Sequence, residues 1–300
     1  MAGFLERAGR DVPVFEGSIP PATVVPHNRH LQDHVLDLYQ DNRAERPLAG
    51  NIDDALEYLD SLDGHIHVIA GGPLTDVRKL MERPGLNNKL GMLATQLGLW
   101  GWGGDKAARV NAGGRRQFNY ACDSESANRV LKQWPDEQFV VSSDITKHPE
   151  VTLPSLEALE ELELHAELTE VYRRVHPTMM APHGGEVHIH DLHPVVLMSH
   201  MLEDNAHSSE GHSTDYAWWV GDYAVARCDQ DSLRPSASDE RSGELDFVSP
   251  HTPADSTSRL HVVSSVVGTL NCSQESMDEK QSRPGRLRGD YKMTLRETLS

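Results

Sequence analysis

A glycine-rich stretch over residues 111–123 concentrates side chains that can form hydrogen bonds. It reads Asn-Ala-Gly-Gly-Arg-Arg-Gln-Phe-Asn-Tyr-Ala-Cys-Asp. Asp123 precedes a helical pattern and is a good N-cap, because its carboxylate can accept hydrogen bonds from the unpaired amides of the first turn. The amide side chains of Asn111, Gln117 and Asn119 suit a site that binds a neutral polyol or amide. The alternative is an ordinary capped connection between two elements.

The composition is acidic and lacks the features of proteins that bind membranes or nucleic acids. Its 300 residues suffice for one large or two modest domains, but only 38% are hydrophobic, so part of the chain should contribute little to a core. The 46 acidic and 28 basic residues give a formal net charge of -18, which disfavours nucleic acids and anionic membranes. The 3 cysteines are widely separated, which suits a reducing compartment. No apolar run approaches the roughly 20 residues of a membrane span. We therefore expect a cytoplasmic protein.

Helical and strand patterns alternate between residues 51 and 142. The patterns predict helices over residues 52–62, 74–83 and 123–134, and strands over residues 65–70, 90–99 and 139–142. This alternation predicts an α/β fold, a Rossmann-like open and mostly parallel sheet with helices on both faces. Ligands of such sheets bind beyond the carboxyl ends of the strands. The turns that follow the strands should therefore gather at one edge.

The first fifty residues contain a short strand pattern and several histidines. Residues 11–15 are predicted to form the strand. His27, His30 and His34 could share a helix face and bind a metal ion, but Pro26 argues that His27 lies outside any helix. A solvated loop is the favoured interpretation of this segment.

The alternation of helices and strands stops after about residue 200. Polar runs fill the remainder, and only residues 216–226 and 260–270 look able to order. A segment of low hydrophobicity cannot offset the entropy cost of ordering its chain. We therefore expect an α/β domain over residues 1–205 and a polar, largely disordered segment over residues 206–300.

Five segments occur in the order of the motifs of one enzyme family, over roughly residues 1–205. Residues 67–77, His-Val-Ile-Ala-Gly-Gly-Pro-Leu-Thr-Asp-Val, resemble the strand and G-P-L-T-N turn of the inosine/uridine-preferring nucleoside hydrolases. Residues 117–123, Gln-Phe-Asn-Tyr-Ala-Cys-Asp, resemble their E-F-N-x-x-x-D motif with one residue fewer. Residues 143–146 resemble their L-D-V-T, residues 11–14 their d-V-P-V, and residues 188–192 their H-D-p.

The resemblance implies hydrolysis of the N-glycosidic bond of ribonucleosides to base and ribose. By position in the motifs, Asn111, Gln117 and Asn119 would hold the ribose. His190 would be the acid that assists the departing base. Gln117 stands where the family has glutamate, so it keeps a hydrogen-bond acceptor and loses the charge.

The resemblance also implies a calcium ion. Asp191 would be a late calcium ligand, and a main-chain carbonyl between Met92 and Thr95 would complete the shell. The family's D-x-D-x-G-x-D-D cluster would precede the helix end predicted over residues 1–10, so we expect its first strand and this cluster to be lacking. Asp53 and Asp54 imitate part of the cluster, but an acidic first turn of a helix is the simpler interpretation.

Two functions from different classes remain open on this basis. One is a nucleoside hydrolase with a damaged or incompletely represented site. The other is a catalytically impaired relative that binds ribosides or has become a non-functional remnant. The resemblance implies a ribonucleoside ligand and allows a homo-oligomer, and it leaves the base preference undetermined.

Overall fold

The computed structural model of the chain describes residues in nine ranges. These are 11–21, 48–98, 118–146, 190–204, 217–220, 223–228, 234–235, 245–246 and 259–266. Asn111 and Gln117 lie outside the described residues, as do the helix end predicted over residues 1–10 and the three histidines near residue 30. Within the described ranges, no helix combines the length and the apolar character that crossing a membrane requires.

Six of the described strands form one sheet. The eight described strands are β1 (Ile66–Ala70), β2 (Leu90–Gln96), β3 (Gln138–Val141), β4 (Ala217–Val220), β5 (Tyr223–Cys228), β6 (Arg234–Pro235), β7 (Leu245–Asp246) and β8 (Leu260–Val266). The sheet has the order β1-β2-β3-β8-β5-β4, and β6 pairs separately with β7. Strands β1, β2, β3 and β8 run parallel, whereas β5 is antiparallel to both β8 and β4. The predicted open, mostly parallel sheet is thus confirmed.

The helices begin where the sequence supplies caps. They are α1 (Ile52–Ser61), α2 (Thr75–Glu82), α3 (Phe118–Cys122), α4 (Ser124–Gln133), α5 (Ser143–Thr146) and α6 (Leu192–Asp204). Asn51 and Asp54 form a reciprocal capping box on α1, which confirms the interpretation of Asp53 and Asp54 as an acidic first turn. Asp123 caps α4 as predicted, by accepting a hydrogen bond from Ser126 N.

Two apolar clusters cover the two faces of the sheet. Leu93 and Val140 pack in a cluster with side chains of α1, α2 and α4. Their neighbours along the strands, Ala94 and Val141, pack in a second cluster that includes Leu197 of α6. Successive residues of a strand point to opposite faces, so an apolar run buries both faces of the sheet. The predicted arrangement of helices on both faces follows from this pattern.

Strand β8 lies inside the sheet, between β3 and β5. Leu260 and Val262 are fully buried and belong to the same apolar cluster as Leu93. The boundary predicted at residue 205 therefore divides strands of one sheet, and residues 260–266 belong to the α/β domain. The composition of residues 206–300 concealed this, because a seven-residue strand changes the average of a polar segment very little.

The strand predicted over residues 11–15 is not part of the described sheet. Phe15 forms an isolated parallel bridge with Gly50. Ala49 N donates to Val14 O at 2.8 Å, and Glu16 N donates to Gly50 O at the same distance. Pro13 lacks the amide hydrogen that a longer strand pairing would use. The segment therefore makes a local contact in place of a strand of the sheet.

A buried histidine connects α6 to β5. His193 Nδ1 lies 3.1 Å from the hydroxyl oxygen of Tyr223, and both side chains are fully buried. Burial lowers the pKa of His193 to about 3, and the nearby His190 contributes to the shift. His193 therefore stays neutral in the folded protein at neutral pH.

We expect Leu260→Ala to lower the free energy of unfolding by about 2–5 kcal/mol, because it opens a cavity in the core. Leu202→Ala is the matched control, since Leu202 is 46% exposed. The control should change the free energy by no more than about 0.5 kcal/mol. Urea denaturation measures both values. Equal, small effects of the two substitutions would place β8 outside the cooperative core.

Acid should destabilise the fold partly through His193. Its pKa in the folded state is below the ordinary value, so the unfolded state binds the extra proton as the pH falls from about 6.5 towards 3. The stability that neutral His193 provides is present above about pH 6.5 and is lost below it, by at most about 1.4 kcal/mol per pH unit. Denaturation curves at several pH values should therefore have a shallower pH dependence for His193→Gln than for the wild type. His65→Gln, which removes an exposed histidine, is the control, and an equal change in both variants would contradict this assignment.

Candidate active site

The candidate site lies where three neighbouring parallel strands end. Ala70 of β1 is aligned with Thr95 of β2, and Gln96 is aligned with Val141 of β3. This register brings the residues that follow β1 and β3 beside the last residue of β2. The edge is the one at which open parallel sheets bind their ligands.

The carboxamide of Asn119 connects β1, β2 and α3 at this edge. Its Nδ2 donates to Gly71 O at 3.0 Å, to Gln96 O at 3.0 Å and to Gln96 Oε1 at 2.9 Å. All three partners are oxygens, so the contacting atom is the nitrogen, whose two hydrogens are shared among them, and the network determines the orientation of the amide. Asn119 Oδ1 then accepts no hydrogen bond from the described residues, and it is the atom through which Asn119 can accept one from a ligand.

Gln96 extends this network to the end of β3. Its Nε2 donates to Ser143 Oγ at 2.8 Å, while its Oε1 accepts from Asn119. Ser143 is the first residue of the one-turn helix α5, and its N–H donates to Gly98 O at 3.0 Å. A buried side chain that uses both its donor and its acceptor in this way has a single orientation.

The same short helix also contacts His190. Thr146, the last residue of α5, is fully buried, and its Oγ1 lies 2.5 Å from His190 Nδ1. Thr146 Oγ1 also donates to Ser143 O at 3.3 Å. Ser143 therefore contacts the Gln96–Asn119 pair, and Thr146, three positions later on the same turn, contacts His190.

Asp191 packs against Gly71, whose carbonyl oxygen accepts the hydrogen bond from Asn119. A methyl group added at Gly71 would lie 3.0 Å from Asp191 Cγ and 3.2 Å from its Oδ1. Burial raises the pKa of the Asp191 carboxyl, although part of the side chain reaches solvent. Gly71 is thus the common neighbour of Asn119 and Asp191, and its lack of a side chain permits the approach.

Three of the five predicted site residues are described, and they lie at the same edge of the sheet. Asn119, His190 and Asp191 are connected through Gly71, Gln96 and α5 as set out above. Asn119 lies on the short helix α3. The predicted carbonyl between Met92 and Thr95 falls inside β2, between β1 and β3.

The sequence interpretation did not identify Gln96 and Thr146 as members of the site. The signal for Gln96 is a polar residue at the end of an otherwise apolar strand, and all residues of β2 are buried. Thr146 was recognised only as part of a motif. Its contact with His190 joins residues 44 positions apart and has no local signal.

The described residues do not complete a calcium site. Calcium takes about six to eight oxygen ligands. No group of three or more histidine, cysteine, aspartate or glutamate side chains within the described ranges could hold a metal ion. Asp191 supplies one carboxylate at the edge of the sheet.

Comparisons with solved structures agree with the fold. Three solved structures share the fold. A purine-preferring ribonucleoside hydrolase from Gardnerella vaginalis is 14% identical, with a TM-score of 0.55 over 97% of this chain and 85% of that one. An inosine-guanosine nucleoside hydrolase is 13% identical, with a TM-score of 0.57 over 99% and 84%. An inosine-uridine preferring nucleoside hydrolase from Bacillus anthracis is 14% identical, with a TM-score of 0.54 over 96% and 84%.

The family assignment comes from the sequence itself. A comparison with curated proteins finds no match. The sequence profile of the family described as inosine-uridine preferring nucleoside hydrolase matches residues 1–271, a range that includes β4, β5 and β8. The chain therefore belongs to the inosine-uridine preferring nucleoside hydrolase family.

Proposed function

We propose that the chain hydrolyses the N-glycosidic bond of ribonucleosides to a base and ribose. The observation that carries the proposal is the meeting of Asn119 and Asp191 at Gly71, with His190 next to Asp191 in the chain. The family assignment supports the class of substrate. Inosine and uridine, which the family description names, are the first nucleosides to test.

Asn119 is proposed to bind a hydroxyl group of the ribose. Its nitrogen is occupied by three oxygens of Gly71 and Gln96, so its Oδ1 would accept the hydrogen bond. The ligand group must then be a donor, as a ribose hydroxyl is. Asn111 and Gln117, which lie outside the described residues, are proposed from their motif positions to hold other ribose hydroxyls.

His190 is proposed to protonate the departing base. Cleavage of a glycosidic bond leaves negative charge on the leaving group as the sugar becomes oxocarbenium-like, so a positioned acid lowers the barrier. With Nδ1 in contact with Thr146 Oγ1, the protonated ring would transfer its proton from Nε2. Acid catalysis of this kind is commonly worth about 10²- to 10⁴-fold in rate.

Asp191 is proposed to be a metal ligand, with calcium as the ion that the family resemblance implies. We propose a cytoplasmic location from the few, separated cysteines. Homo-oligomerisation is a further proposal from the resemblance. The second candidate function is riboside binding without turnover, and Gln117 in the place of the family's glutamate favours it.

Parallel measurements of turnover and binding separate the two functions. We expect the purified chain, with calcium present, to bind inosine or uridine weakly and to release ribose slowly. Asn119→Ala should weaken binding about fivefold, because a neutral hydrogen bond contributes about 1 kcal/mol. The control is Asn128→Ala, because the Asn128 side-chain oxygen accepts a hydrogen bond from the Tyr120 hydroxyl at 3.2 Å and Asn128 is not among the proposed site residues. The affinity of this variant should stay near that of the wild type. Binding without ribose release supports the second function, and the absence of both contradicts the proposal.

Gly71→Ala should impair the site more than Gly72→Ala. The new methyl group at position 71 requires the Asp191 side chain to shift by a few tenths of an ångström, whereas one at position 72 meets no atom within 4 Å. Misplacing a functional group by about 1 Å can cost about 10²-fold in rate, so the smaller shift of Asp191 should lower kcat/KM by up to about 10-fold in the first variant only. Calorimetric titration with calcium provides a second readout if turnover is too slow. Equal behaviour of the two variants would show that the position of Asp191 does not matter.

A further inference from the structure

We infer that Thr146 is a positioning residue that determines the ring orientation and the tautomer of His190. The inference concerns one contact, between Thr146 Oγ1 and His190 Nδ1 at 2.5 Å. Its catalytic consequence rests on the proposed function, whereas its structural part can be tested without any turnover.

Thr146 is held in place independently of His190. Its side chain is fully buried at the end of α5. Its backbone N–H donates to Ser142 O at 3.1 Å, which fixes the turn of α5 directly after β3. Ile145, the preceding residue, packs in the apolar cluster that contains Val141 and Leu197. The packing of the core therefore fixes the position of the Thr146 hydroxyl group.

The second hydrogen bond of Thr146 assigns the direction of the first. Ser143 O can only accept, so its 3.3 Å contact with Thr146 Oγ1 uses the hydroxyl hydrogen of Thr146. In the inferred arrangement the oxygen of that hydroxyl accepts from His190, and Nδ1 carries the hydrogen. In the neutral ring, Nε2 is consequently the nitrogen without a hydrogen. A histidine whose one nitrogen is committed in this way exchanges protons with a ligand through the other.

A hydroxyl group is required for this effect, and valine is a close isostere of threonine that lacks it. Valine has almost the same shape as threonine but can neither accept from Nδ1 nor donate to Ser143 O. Serine keeps the hydroxyl group and loses only a methyl group. The pair Thr146→Val and Thr146→Ser therefore separates the hydrogen bond from the packing of the side chain.

The first test is spectroscopic and independent of activity. Nitrogen-15 NMR of histidine-labelled protein at alkaline pH, with the His190 signals assigned by His190→Gln, reports which ring nitrogen carries the hydrogen. We expect the Nδ1–H tautomer in the wild type and in Thr146→Ser, and its loss in Thr146→Val. The inference is overturned if the wild type has the hydrogen on Nε2, or if Thr146→Val keeps the wild-type signals. Circular dichroism confirms that each variant is folded, and the wild-type measurement decides the matter if Thr146→Val does not fold.

The second test connects the contact to catalysis. Outer contacts that orient a functional histidine are commonly worth about 10- to 100-fold, so kcat on inosine should fall about 10-fold in Thr146→Val and recover in Thr146→Ser. A riboside with a nitrophenolate leaving group needs no protonation, so its hydrolysis should be nearly unaffected. Equal losses on both substrates would mean that Thr146 acts through general structure. An inactive wild type with the expected NMR signals would refute the proposed function and leave the positioning of His190 established.

Discussion

The buried carboxamide of Asn119 must find hydrogen-bond partners inside the protein, and the edge of the sheet is arranged around this requirement. A buried amide without partners costs several kcal/mol, on the order of the whole stability margin of a domain. The partners come from the end of β1, through Gly71, and from the end of β2, through Gln96. The two strands therefore have to end side by side. Because these partners occupy the nitrogen of Asn119, its Oδ1 remains as the acceptor for a ligand. Hydrogen bonding that stabilises the fold thus also determines which kind of ligand group Asn119 can bind.

Helix α5 extends this coupling to His190. Ser143 contacts the side chain of Gln96, and Thr146 contacts the ring of His190. Residues three apart on a helical turn lie on the same side, which explains how one short turn reaches both. Asn119, proposed to bind the sugar, and His190, proposed to donate the proton, are thus both positioned by contacts with α5, in the case of Asn119 through Gln96. Their relative position depends on β3, the strand from which α5 begins.

The position of β3 depends in turn on a strand from the far end of the chain. Strand β8 pairs with β3 along Gln138–Leu260 to Val140–Val262. His261 stacks on Phe139 with ring centroids 4.9 Å apart and is hydrogen-bonded to Glu137. Burial lowers the pKa of His261, while its hydrogen bond and the charge of Glu137 act in the opposite direction. Strand β8 therefore supports the candidate site through β3.

Local patterns in the sequence determined the class of fold and much of its first half. The caps Asn51 and Asp123, together with the apolar runs of β1, β2 and β3, predicted elements that the structure confirms, because caps and periodicity act over a few neighbouring residues. The motifs likewise led to Asn119, His190 and Asp191. Tertiary structure alone decided that β8 enters the middle of the sheet, since its apolar run is short and its partner in β3 lies more than 100 positions away. It also decided that Gln96 orients Asn119 and that Thr146 contacts His190. Hydrogen bonds between side chains far apart in sequence leave no periodic trace, so only the folded chain reveals them.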